Sequence, residues 1–63
     1  DSWQEGLDAL AAAFSDGLLE PDATACLECP ARANVEGALP EWLRVERDLA
    51  GGASRVVLLR RRG

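Results

Sequence analysis

Four consecutive apolar residues, Val56-Val57-Leu58-Leu59, set the strongest limit on what this chain can become. A strand with one wet face alternates apolar and polar residues; this run does not, so both of its faces are expected to be buried. It follows Gly51-Gly52, a hairpin-turn signature. Before the turn, Leu43 to Leu49 alternates, with Leu43, Val45 and Leu49 on one side beside Arg47 and with Arg44, Glu46 and Asp48 on the other. That pattern predicts a half-exposed edge strand. The hairpin is thus expected over about 43–60, its returning strand central in a sheet.

A second apolar run, Ala23 to Cys29, lies between Pro21 and Pro30. It is too short for a helix and predicts another strand covered on both faces. Ahead of it, Ser2-Trp3-Gln4-Glu5 fits a capping box, with Ser2 as cap and Glu5 reaching back. Trp3, Leu7, Leu10, Ala11 and Phe14 then fall on one helical stripe, and Gly17 supplies the stop. A helix is predicted over about 3–16, and Pro30 to Pro40, which has no period, as a loop.

These pieces fit one sheet, in the order first strand, third, second, with the third antiparallel to both. Two doubly buried strands need cover on both faces, and the chain offers one helix. A chain of 63 residues also buries only about 60% of its unfolded surface. The outer side of Ala23–Cys29 would be an open apolar edge. The expectation is an α/β fold in which residues 1–63 form a single segment (one helix, one strand, a closing antiparallel hairpin) of an incomplete domain. Because Asp1 and not Met stands first, more chain is expected upstream.

Gly17-Leu18-Leu19 with Pro21-Asp22-Ala23, a strand closing on Glu28, Leu39-Pro40, Trp42, Arg47, Ala50-Gly51 and a last apolar strand ending in Arg60 form a scattered pattern over Ser2 to Arg61. The pattern resembles the C-terminal end of the bacterial 16S ribosomal-RNA guanine-N2 methyltransferases. The resemblance implies a Rossmann-like class I methyltransferase fold, S-adenosylmethionine as cofactor, and a sheet whose last strand inserts antiparallel between two others. It also implies that the family's glycine-rich cofactor loop, its acidic ribose ligand and its Asp-Pro-Pro-Phe/Tyr motif lie upstream. On this reading the chain holds no catalytic, cofactor-binding or metal-binding residue of its own. It is not an enzyme alone, and its partners are the rest of the methyltransferase domain and, through the full enzyme, ribosomal RNA. Leu18 stands where the family often has tryptophan, and Pro30 to Pro40 has no counterpart in the pattern.

Five residues are then candidates for contact with substrate. Trp3 would sit near the mouth of the methyl-transfer site and could stack on a base, or could simply open the helix's apolar stripe. Glu28 ends a strand at the edge where α/β proteins hold ligands, and is equally at home as a solvated strand end. Arg60, Arg61 and Arg62 could neutralise RNA phosphates, or form a solvated tail that caps the sheet. Arg44, Arg47 and Arg55 are better read as cross-strand partners of Glu46 and Asp48.

Charge is divided along the chain. Asp1 to Ala31 has seven acids and no base, whereas Arg32 to Gly63 has seven arginines and four acids. Such a basic end is a nucleic-acid contact in some proteins and a solvated terminus in more. Cys26 and Cys29 have C-x-x-C spacing, but the chain lacks histidine and any further cysteine, so a zinc set is incomplete. In a strand the two thiols face opposite ways, and small core-filling side chains are the better reading. No run resembles a signal peptide or crosses a membrane, which makes the cytoplasm the default. The rival reading is a small interaction or dimerisation module that pairs through its exposed strand edge.

Overall fold

The computed structural model describes residues 2–63. Helix α1 covers Trp3–Ser15. Strand β1 (Ala25–Pro30), a one-turn helix α2 (Val35–Ala38), and strands β2 (Leu43–Gly51) and β3 (Ser54–Arg61) follow.

Ser2 caps α1 in extended conformation, its hydroxyl oxygen accepting from the Gln4 backbone N–H at 3.1 Å. The reciprocal partner differs from the expected capping box. The Ser2 hydroxyl donates to Gln4 Oε1 at 2.6 Å, and Glu5 contributes only its backbone N–H, to the Ser2 carbonyl. At the other end Gly17, at φ 77°, turns the chain. The Leu18 N–H then bonds to the Ala13 carbonyl and the Gly17 N–H to that of Phe14. This double closure satisfies two of the carbonyls a helix end leaves open, and needs a left-handed residue that glycine supplies without strain.

The sheet has the order β1-β3-β2, with β3 antiparallel to both neighbours. That is the order the apolar pattern predicted. The expected depth of burial is not found. In β1, Ala25, Leu27 and Cys29 are buried while Cys26, Glu28 and Pro30 are exposed. In β3, Val57 and Leu59 are fully buried, but Val56 and Leu58 only half. Both strands are therefore covered on one face alone. The reason is the single helix: α1 packs Leu7 against Leu27, Val57 and Leu59, and Phe14 against Ala25 and Leu43, all on one side.

The edge strand also departs from simple alternation. Val45 lies opposite Leu59 but Arg47 lies opposite Leu58, so Glu46 is the extra residue of a β-bulge. Beyond it the phase is reversed. Arg47 and Leu49 share the open face with Arg44, and Asp48 turns to the helix face, opposite Val57. The expected grouping of Leu49 and Arg47 with Leu43 and Val45 is corrected by this one inserted residue.

The segment expected as a structureless loop contains α2, whose cap Asn34 accepts from the Gly37 N–H at 3.1 Å. Val35 is completely buried beneath it and joins the Leu7 cluster. The chain's 4176 Å² of accessible surface compares with about 3,900 Å² for a folded monomer of this mass. Among the described residues no helix is long and apolar enough to cross a membrane.

Candidate functional site

The first turn of α1, the end of β1 and the start of β3 enclose a cleft of 680 Å³. Its walls include Trp3, Gly6, Glu28, Cys29 and Ser54. Gly6 brings the helix down onto the strand: a β-carbon there would lie 3.3 Å from Leu27 Cδ1, tighter than an ordinary contact. An alanine there would need the Leu27 side chain to give by a few tenths of an ångström.

Trp3 and Glu28, singled out separately in the sequence, both line this cleft. Their surroundings differ. Trp3 is half-buried and packs against the cluster of Leu7 and Leu27, so the ring is core and cleft wall at once. Glu28 is exposed between buried Leu27 and Cys29, which puts its side chain on the face away from α1. The two therefore share a strand end and not a strand face, and a ligand would bend around the end of β1 to meet both.

Cys29 lies at the floor, 3% exposed, its thiol 3.8 Å from the Arg55 carbonyl. Burial pushes the thiol's pKa up; nearby Arg55 counters this, while Asp48, Glu36 and Glu28 add to it. The thiol is thus neutral at pH 7 and a poor nucleophile. Cys26 is exposed on the other face. Only Cys29 fills the core, so half of the expectation of two core-filling thiols is corrected by the alternation of β1.

The most connected side chain is one whose place in the sequence marks it only as an ordinary cross-strand partner. Arg55, whose side chain is 12% exposed, lies 2.9 Å from Asp48 and 3.5 Å from Glu36. It also donates to the Ala33 carbonyl at 2.9 Å. It joins the hairpin to the α2 segment and roofs the Cys29 side of the core. Its Nε is buried without a partner. The pairing with Asp48 follows the cross-strand expectation. Glu46 instead pairs with Arg60, at 3.5 Å, and accepts from Thr24 Oγ1 at 3.4 Å. The bulge places Glu46 toward β3 and the start of β1.

The C-terminal arginines are not an undivided tail. Arg60 and Arg61 belong to β3. Besides the Glu46 pair of Arg60, the Arg61 guanidinium lies 5.0 Å from the centre of the Trp42 ring and 3.5 Å from the Phe14 carbonyl. Arg62 is exposed, its backbone N–H donating to the Trp42 carbonyl at 2.9 Å. A second hollow, of 430 Å³, lies beside Arg61, between Phe14 and the Leu18–Pro21 turn.

Among the described residues no three His, Cys, Asp or Glu side chains gather as a metal would require. The main cleft offers an aromatic edge, two serine residues and a strand end, which suit holding a flat or polar group. No family model, curated protein or solved structure matches the chain.

Proposed function

We propose that this chain is the C-terminal segment of a class I S-adenosylmethionine-dependent methyltransferase that acts on a guanine amino group of small-subunit ribosomal RNA in the cytoplasm. Its task there is to complete the sheet and carry one covering helix. Cofactor binding and methyl transfer belong to the upstream part of the domain. The observation that carries the reading is the strand order: the last strand lies between the two before it and antiparallel to both. The motif residues from Gly17 to Arg60 support it. The cleft beside Trp3 adds an aromatic wall at the helix start, where the Asp-Pro-Pro-Phe/Tyr motif would run into α1.

The test uses calorimetry on two forms, the 63-residue chain and the chain extended by its natural upstream sequence. The extended form is expected to bind S-adenosylmethionine saturably and to methylate guanine in small ribosomal subunits. The short form is expected to bind none. Saturable cofactor binding by the short form, or none by the extended form, would overturn the reading.

One observation favours a second reading, a module that pairs through its edge: β1 is hydrogen-bonded on one side only, to β3. A discrete dimer at low micromolar concentration whose β1 amides resist hydrogen exchange would select it.

A further inference from the structure

The sheet face opposite α1 has an ordered composition. Its middle is apolar, with Val56 and Leu58 half-buried on β3 and Leu49 49% exposed on β2, and the carboxylate of Glu28 stands beside Val56 on the β1 side, away from the arginines. Arg44 and Arg60 stand directly across from each other at one end, and Arg47 stands opposite Leu58. The bulge at Glu46 is what carries Arg47 and Leu49 onto this face. Glu46 pairs with Arg60, so the end carries three arginines against one carboxylate. Like charges opposite one another destabilise a strand pair. This placement therefore costs the isolated fold, in a chain whose net charge is −4.

We propose that the open face is the seat of a single amphipathic helix whose apolar stripe covers Val56, Leu58 and Leu49 and whose flank bears carboxylates toward Arg44, Arg47 and Arg60. The dimensions fit. Three strands about 4.8 Å apart present a width of roughly 10 Å, which is one helix diameter. A strand the length of β3 is about 26 Å long and matches a helix of roughly 17 residues. Arg44 and Arg47 stand opposite Arg60 and Leu58, two residues apart on β3, so they are separated by about 7 Å and the carboxylates they meet lie about one helical turn apart. Arginine's planar fork holds such carboxylates bidentately. An apolar centre with a charged rim is also how protein interfaces are built. Nucleic acid fits the face less well: Trp3, Phe14 and Trp42 all pack with the helix-side clusters, and no aromatic ring remains there for a base. The inference is independent of the methyltransferase reading, because any layer with this chemistry satisfies it.

Cys26, exposed on this face, is a built-in reporter. The full chain is mixed with a synthetic helical peptide of roughly 17 residues, bearing a leucine stripe and a glutamate flank. A twin with lysine for glutamate and a short single-stranded RNA serve as controls. The acidic peptide is expected to bind saturably and slow Cys26 alkylation about tenfold; the lysine twin leaves the rate unchanged. Arg47→Glu, on an exposed side chain that the fold does not need, is expected to weaken acidic-peptide binding about tenfold. Equal protection by both peptides, protection by neither, preferential protection by RNA, or self-association that shields Cys26 without peptide would each overturn the proposal.

Discussion

Arg55 holds together parts of the molecule distant in sequence, and its removal has a calculable result. Its bond to the Ala33 carbonyl is charge-assisted, and its 2.9 Å contact with Asp48 is half-shielded from water, whereas Glu36 is 61% exposed and adds little. Arg55→Gln is expected to destabilise the chain by about 1–3 kcal/mol and to free the α2 segment first, seen as faster amide exchange over residues 31–38 by mass spectrometry. Cys29 gives a second test at this scale. Its thiol titrates higher in the folded chain than in the unfolded one. Below the unfolded thiol's pKa of about 8.5 both states hold the proton and the residue adds no pH dependence. Above it the unfolded chain loses the proton first, so stability falls with rising pH until the folded thiol also ionises. In urea titrations between pH 7 and 10 this added downward slope is expected in the native chain and should be missing from Cys29→Ala.

Among the elements, the hairpin turn separates two adjacent glycines. Gly52 is held at φ 68°, and Gly51 is not in the left-handed region. Gly52→Ala is expected to cost about 1–2 kcal/mol and Gly51→Ala clearly less, as thermal melts of the two variants would show. The sequence showed that a turn lay here, because two glycines after an alternating run have few other uses. It also showed α1 to within a residue of its end and the strand order, since both follow from apolar spacing. The bulge was hidden for a physical reason: Glu46 and Arg47 are both charged, so the insertion leaves no break in polarity. The α2 turn was hidden by its brevity, although Asn34 ahead of Val35 is a cap signal. Trp3 and Glu28 were each legible as candidates, Glu28 as a strand end and Trp3 at a helix start, but that they line one cleft was not. That they stand on opposite faces depends on which face α1 covers, and strand periodicity does not specify it.

For the molecule as a whole, one covered sheet face means one place where stability resides. A chain of 63 residues has roughly 3–9 kcal/mol to lose. Leu59 is fully buried and lies between Ala25 and Val45. Leu59→Ala removes about 2–5 kcal/mol and is expected to leave the isolated chain largely unfolded by circular dichroism at 25 °C. Leu58→Ala, one residue away on the open face, is expected to leave it folded. Equal losses for the two would mean that the open face is covered in solution as well.

The extra residue at Glu46 has one more implication, for how this sequence can change. Were Glu46 to pair in step with β3 and not bulge, β2 would run in unbroken phase. Everything from Arg47 to Ala50 would then exchange sides: Asp48 would leave Arg55, Leu49 would be driven toward the helix, and Arg47 would follow the buried side. Loss of the Glu46 codon, by contrast, would remove the bulge and leave Arg47 opposite Leu58, Asp48 opposite Val57 and Leu49 opposite Val56, as they are now. The position can therefore be respelled or lost, but it cannot fall into step with β3 without undoing the Arg55–Asp48 ion pair.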